Sequence, residues 1–454
     1  MEQFSPSRAC ADFAAGLKFE DIPAGVIDLI KRDLLDWAGC AIKGSADRSA
    51  APIKAARSLL GGAPQAGVFG DPALTDMRTA ATENAYFGHI FEMDDVDRDS
   101  ISHPATVVMP GALAAAQYYG KSGKDILTAI VAGFEVMLRI GAAITPAHYQ
   151  VFHTTATTGV FGSAMSAGKI LGLPADRMLW ALGNAGTLSC GLWQFNPDGA
   201  MSKFIHAGGA AGNGLWVALL AKDGFSGASH ILEGKQGFFA GFARQDVNLE
   251  LFRDFGKRWR AGTISFKPYP CCRHTHSAID AALDIRRQLK ELGGDSIQKL
   301  VVHTYGTALS IAGKTKPKTA REAKFSISYC VAASILYGTP EEATFTHFDS
   351  PELKALLERI TVIDDPAIDA CVPTNWPCRI EAVTGSGKEI SAQIKAPKGD
   401  PENEVSWDGC EMKFRTMTLD ILTKEQADAV IAYVKNFENV ADFSRENLFR
   451  IANN

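Results

Sequence analysis

No two cysteines in this chain stand in a C-x-x-C spacing, and the nine present (Cys10, Cys40, Cys190, Cys271, Cys272, Cys330, Cys371, Cys378 and Cys410) are odd in number. Neither a disulfide framework nor a zinc knuckle is expected from that pattern, and a reducing compartment fits it. Sustained basic blocks are also missing: 46 lysines and arginines face 51 aspartates and glutamates, for a formal net charge of -5. A nucleic-acid or anionic-membrane partner is therefore not expected. The longest uncharged run, residues 178–197, includes Asn184, Ser189, Gln194 and Asn196, and reads as a buried helix with its exit loop rather than a membrane span. The first residues carry Glu2 and Arg8 with no apolar core between charged flanks, so no secretory signal is expected and the cytoplasm is the expected location. Glycine-rich phosphate cradles are lacking as well. The stretch 208–214 has no G-x-G-x-x-G order and follows no strand, while Gly387-Lys388 is followed by Glu389 and has Ala382 where a phosphate loop needs its first glycine. Nothing asks for a nucleotide, and no cofactor is expected.

What is present is the composition of a globular chain. Of 454 residues 46% are hydrophobic and 21% charged, and a length near three times about 150 residues suggests two or three units. Up to about residue 265 the pattern is helical. In 23–43, Asp21 can cap, Pro23 sits near the first turn, and Ile27, Ile30, Leu34, Ala38 and Ala41 recur at helical spacing before Gly44 stops the run. Further helices are expected at 81–91, 105–119, 125–143, 157–171, 177–187 and 207–221. Small residues such as Gly159, Gly162, Ala164, Ala167 and Gly168 would let helices approach closely. After residue 276 the pattern changes. Residues 299–305 and 359–363 read as strands, and 378–384 with 389–394 as a hairpin closed by Gly385-Ser386-Gly387-Lys388. Helices are expected between them at 323–336 and 351–359, and again at 424–436. The fold class expected is mainly α: a large all-helical domain of 1–267, rejoined by 403–454, with a smaller α+β domain of 268–402 inserted before the C-terminal helices.

Two segments concentrate chemistry. Lys267-Pro268-Tyr269-Pro270-Cys271-Cys272-Arg273-His274-Thr275-His276 sets two fixed cations, two thiols and two imidazoles among prolines that stiffen the backbone. A surface turn ahead of the helix 277–289 is the plain alternative. Residues 89–104 hold Glu92, Asp94, Asp95, Asp97, Asp99, His89 and His103, and the apolar helices on either side would draw the ends of this loop into a core. Asp95, Asp97 and Asp99 imitate the start of a calcium loop. Ser100 replaces the required glycine, Thr106 the closing glutamate, and Pro104 interrupts the loop, so calcium is excluded. Adjacent cysteines rarely share one ion, and no metal is expected.

Five ordered segments together resemble the MmgE/PrpD family of 2-methylcitrate dehydratases, cis-aconitate decarboxylase and iminodisuccinate epimerase. They are the acidic loop ending His103-Pro104, "VFHTTATTGVFGSAMSAGKILGL" with His153, "MSKFIHAGGAAGNG" with Lys203 and His206, the Lys267 segment, and "REAKFSISYCVAASILYG" with Tyr329. The resemblance spans nearly the whole chain. It implies a helical domain with an α+β lid, a homodimer, a small polycarboxylate as substrate, and a cofactor-independent reaction.

Dehydration, decarboxylation and epimerisation of such a substrate share a carbanion beside a carboxylate. The site must stabilise extra negative charge and move a proton near neutral pH. Histidine, with an ordinary pKa of about 6.5, suits the second task. Under the resemblance, His103 and His153 are the candidate proton carriers, with Cys272 and Tyr329 as further catalytic candidates. Lys203, Lys267 and Arg273 are the candidate anion holders, and Glu92 and Asp95 line the substrate side. The plain readings are a helix-start surface lysine at 203, a core histidine at 206, a capping or packing role at His153 and a core aromatic at Tyr329. Departures from the family pattern stand out. Where an Asp-x-Asp-Asp-Thr run is common, this chain has Glu92, Asp94, Asp95 and Val96, which lengthens one acid and removes a hydroxyl. Where the decarboxylase branch has a histidine, it has Cys272. A Cys272 thiolate could act opposite a histidine, as an epimerase requires, or be an inert buried thiol. The leading expectation is a lyase of the 2-methylcitrate dehydratase type acting on a di- or tricarboxylate. Epimerisation of a dicarboxylate, cis-aconitate-type decarboxylation, and a catalytically silent metabolite-binding relative remain the alternatives.

Overall fold

In the computed structural model, which describes residues 4–453, helices begin where the chain supplies acceptors for the orphan amides of a first turn. Ser122 accepts from the Asp125 amide while Asp125 reaches back to Ser122, a capping box that opens the helix Gly123–Ile144. Asp76 does the same for Met77–Gly88 by accepting from Thr79. Gly120, at φ 63°, ends Ala105–Tyr119 in the left-handed conformation that favours glycine. Contacts divide the chain into two units, one running to Ile264 and resuming at Ser406, the other Ser265–Val405.

The first unit is built around Gly123–Ile144, buried along nearly its whole length. Thr154–Ile170 packs against it, and Ala105–Tyr119 and Ser202–Lys222 pack in turn against Thr154–Ile170. Small residues set these distances: a Cβ added at Gly133 would stand 2.6 Å from the carbonyl oxygen of Gly162. Gly123–Ile144 and Ser202–Lys222 are long and apolar enough to cross a membrane. The first carries the buried ion pair Glu135–Arg139, 2.5 Å apart, and the second a buried Lys203. After residue 406 the helix Trp407–Thr418 packs on Ala24–Ala46.

Three expectations change here. Gly44 does not stop its helix, which runs Ala24–Ala46; its missing side chain is where the carbonyl of Phe87 packs. Asp21 does not cap that helix. Its carboxylate instead accepts from the amide of Lys18, 3.0 Å away, in a short 3-10 turn. The unit is not all-helical either, because β1 (Ala66–Val68) and β2 (Asp71–Thr75) form an antiparallel ribbon.

The second unit holds a four-stranded sheet in the order β4-β3-β5-β6, with β3 Ile297–Thr304, β4 Ile360–Asp364, β5 Cys378–Thr384 and β6 Glu389–Ile394. Strands β3 and β4 run parallel, Leu300 opposite Ile360, and the other pairs are antiparallel. Cys378, Ile380, Ala382 and Thr384 alternate inward along β5, the period of two that made this hairpin readable. The helix His276–Glu291 covers β5 and β6 and packs on Ile327–Tyr337. Mainly α, with one small mixed sheet, is the fold class of this chain.

Candidate active site

In the first unit the acidic segment 89–104 joins Met77–Gly88 to Ala105–Tyr119 and is buried almost throughout. Short side chains hold its backbone: Asp97 accepts from the Ser100 amide at 2.8 Å, and Asp97 and Ser102 form a bridge. Glu92 and Ile101 turn the chain at φ 60° and 48°, a region that disfavours residues with a Cβ. Lys413, from the helix Trp407–Thr418, donates to the carbonyl of Met93 at 2.6 Å and pairs with Asp36 at 2.6 Å.

Four histidines converge on this loop. His89 ends its helix with Nδ1 2.6 Å from Oδ2 of Asp94. His103 has Nδ1 2.5 Å from the carbonyl oxygen of Asp95, and its amide donates to Thr155 at 3.1 Å. His153 precedes Thr154–Ile170 and places Nδ1 3.1 Å from Nδ1 of His206. A carbonyl or carboxylate only accepts, so a neutral His89 or His103 carries its proton on Nδ1 and presents the lone pair of Nε2. Ring centroids lie 5.0 Å apart for His89 and His103, and 5.7 Å for His89 and His153. One ring nitrogen of each of these three lies within 4.8 Å of the others.

Electrostatics keep the cluster neutral at its centre. Burial, and then the charge of Lys203, holds His153 well below the ordinary histidine value. Burial lowers His89 against the pull of Asp94, and brings His206 down to about 4. Lys203 is itself buried and paired with the Glu92 carboxylate. Behind the loop, burial and then the neighbouring Asp36 push Asp33 far above the usual carboxylate range. Both oxygens of Asp33 lack a hydrogen-bond partner among the described residues. Burial, and then the charge of Asp33, raises Asp95 likewise, although its carboxylate accepts from the Ala105 amide at 3.1 Å.

Of the residues expected from sequence, Glu92, Asp95, His103, His153 and Lys203 thus come together in this unit. Asp95 has its carboxylate on the first amide of the next helix, where it anchors the loop. His89, Asp94, His206 and Asp33 belong to the same group without having been given roles from sequence. The local signal available was His89 five residues before Asp94, one side of a buried carboxylate–histidine pair.

The second unit holds the other candidates. Lys267, Cys272 and Arg273 are buried within one segment. Arg273 donates to the carbonyl of Lys398 at 3.0 Å, lies 2.8 Å from Nδ1 of His276, and pairs with the buried Asp400. That arrangement ties down the chain around 398–400. His274 stacks on Trp376 at 4.4 Å and meets the Tyr305 hydroxyl at 2.8 Å. Burial, and then Lys267 and Arg273, brings His274 down to about 3. The Cys272 amide donates to the Lys324 carbonyl at 3.0 Å. Burial pushes the neighbouring thiol of Cys271 up. Tyr329 stands apart from this segment in role: its hydroxyl donates to Thr344 O at 2.8 Å and accepts from the His347 amide at 3.2 Å. The one proton of that hydroxyl is in use, and the ring lies between Phe345 and Phe348.

Known proteins resemble this chain in sequence. A family model described as the MmgE/PrpD N-terminal domain matches residues 8–250, and one described as the MmgE/PrpD C-terminal domain matches 269–439. Cis-aconitate decarboxylase of Aspergillus terreus (strain NIH 2624 / FGSC A1156) is 27% identical over 460 residues, covering 95% of this chain and 93% of its own. Cis-aconitate decarboxylase of Homo sapiens is 26% identical over 452 residues, covering 94% and 91%. The 2-methylcitrate dehydratase of Salmonella typhimurium is 25% identical over 209 residues, 44% of this chain and 43% of its own. With both of its domains matched in order, the chain belongs to the MmgE/PrpD family.

Proposed function

We propose that this lyase acts on a small tricarboxylate without a cofactor, moving a proton at a carbon next to a carboxylate, with His103 as the proton carrier. The observation that carries the reading is the Nδ1 contact of His103 with the Asp95 carbonyl at 2.5 Å. It fixes the tautomer and makes Nε2 the nitrogen at which the imidazole gains or loses a proton. His153, shielded from charging by burial and by Lys203, serves as a neutral hydrogen-bonding partner. Lys203, already beside Glu92, offers positive charge to a substrate carboxylate.

Decarboxylation is favoured over dehydration because the decarboxylase relatives align end to end, the dehydratase over less than half of either chain. In that reaction the bond from carbon to the departing carboxylate breaks and its electron pair stays on carbon. The charge spreads into the neighbouring carboxylate, and the His103 imidazolium gives the proton that forms the new C–H bond. Dehydration uses the same base in the opposite direction, removing the proton as hydroxide leaves. A homodimer belongs to the same reading, supported by exposed Met201, Ile205 and Trp216 on and beside one helix.

The test is incubation with a panel of di- and tricarboxylates in D2O, following carbon dioxide release, water loss and deuterium uptake. Carbon dioxide with deuterium at the vacated carbon is the expected result. Unsaturated product without carbon dioxide would establish dehydration, and exchange with inversion alone an epimerase. No exchange with any member would overturn the lyase reading.

A further inference from the structure

The three imidazoles of His89, His103 and His153 have the arrangement of a ligand set as well as of a proton-transfer group. We infer that this cluster binds one divalent transition-metal ion of the zinc class and that occupancy of the site blocks turnover. The inhibitory half rests on the lyase reading; the binding half does not.

Geometry comes first. One ring nitrogen from each histidine lies within 4.8 Å of the other two, and all three side chains are buried. Three imidazoles on zinc at 2.0–2.1 Å in tetrahedral geometry stand roughly 3.3 Å apart, inside the 4.8 Å that encloses these nitrogens, so a bound ion would have to draw the rings together and would leave a fourth position open. The backbone positions are firm, since His89 closes the helix Met77–Gly88 and His153 and His103 stand at the entries to Thr154–Ile170 and Ala105–Tyr119.

The outer contacts match what a metal-binding imidazole requires. Each Nδ1 is already engaged: His89 with the Asp94 carboxylate, His103 with the Asp95 carbonyl, and His153 with His206. Such partners fix the ring and aim the opposite nitrogen. Nε2 of both His89 and His153 is buried and lacks a hydrogen-bond partner among the described residues. The charge balance permits a cation. Lys203 would repel one, but Glu92 neutralises it, and the Asp94 carboxylate stands against the His89 ring. Three imidazoles select zinc, cobalt, nickel or copper over magnesium or calcium, which prefer oxygen. A bound ion would hold the nitrogen lone pairs that the proton transfer needs.

The experiment is a titration of chelator-treated, full-length protein with Co2+ alone, read by visible absorption, followed by displacement with Zn2+. Expected are tetrahedral cobalt bands saturating at one ion per chain, lost on zinc addition and unaffected by Mg2+. His89→Gln and His153→Gln should each weaken binding by more than about 100-fold, beyond the loss typical of an outer-shell partner, and Asp94→Asn by about 10- to 100-fold. His230→Gln, an exposed histidine elsewhere, should leave binding unchanged. Thermal melting of the variants reports folding, and either histidine variant suffices if the other fails to fold. Absence of tetrahedral bands, or equal affinity in a folded histidine variant, would overturn the site. Turnover is then compared in metal-free and zinc-loaded protein. Full activity when loaded would overturn the inhibition alone. Activity only when loaded would overturn the cofactor-free lyase reading and the inhibition while leaving the site in place.

Discussion

At the scale of single residues, the pairing of Lys203 with Glu92 governs how that lysine can be tested. Both are buried, and removing one partner of a buried pair strands the other charge at a cost of about 3–5 kcal/mol. Lys203→Met should therefore lower stability by that order as well as abolish turnover, so lost activity alone would say nothing about substrate. Adding Glu92→Leu should return most of the stability, because replacing both charges with apolar groups leaves no stranded ion. Chemical denaturation of the two variants checks the first point. If the double variant regains turnover with its stability, Lys203 is only a counter-ion. His103→Asn separates the other role: the Asn amide can still donate to the Asp95 carbonyl, but it does not titrate and so cannot take up or release a proton at catalytic pH. The expected loss is about 10²–10⁴ in rate with substrate binding retained, the range of a positioned acid or base. Single-turnover kinetics beside calorimetric binding would show it, and loss of binding with intact chemistry would reverse the assignment.

Elements show why close helix packing was partly readable. Gly25 and Gly44 lie in one helix, Ala24–Ala46. A Cβ at Gly25 would meet nothing within 4 Å, whereas one at Gly44 would overlap the carbonyl of Phe87. Gly25→Ala should be neutral or stabilise by up to about 1 kcal/mol through reduced backbone entropy. Gly44→Ala should destabilise by about 1–3 kcal/mol, as overpacking does. Equal melting temperatures for the two variants would mean that the Gly44 crossing yields easily. From sequence, Gly44 reads as a helix stop because glycine at a helix end usually is one; only the neighbouring helix distinguishes a stop from a crossing. The β1–β2 ribbon escaped for a related reason, since three residues, Ala66-Gly67-Val68, are too short for a period of two to register. The hairpin β5–β6 was legible because seven alternating residues and a Gly-Ser-Gly turn carry the signal locally. The convergence of His89, His103, His153 and His206 lies between these cases. Each sits at or near a helix end that periodicity locates, but their meeting depends on how four helices pack.

For the molecule as a whole, the buried neutral histidines set a dependence of stability on acid. Burial brings His148 to about 4, although its Nδ1 bonds the Phe242 carbonyl at 2.7 Å; its Nε2 meets Thr157 at 2.8 Å. His206 is likewise brought to about 4, and His274 to about 3. The folded values lie below the unfolded value of about 6.5, so between about pH 6.5 and 4 the unfolded chain binds more protons, and stability is lost as pH falls through that window. Buried acids act in the opposite sense: burial raises Asp97 to about 6, so its contribution declines as pH rises from its unfolded value. The net slope mixes these groups, and a difference measurement isolates one. His148→Gln should be less stable than the parent near neutrality, where the neutral imidazole keeps both hydrogen bonds. That deficit should shrink by up to about 3 kcal/mol on going to pH 4, because only the parent must exclude a proton. Urea unfolding of both proteins across this range provides the check. A deficit that stays constant with pH would show that His148 is charged, or readily becomes charged, in the folded protein, contrary to its burial and its two occupied ring nitrogens.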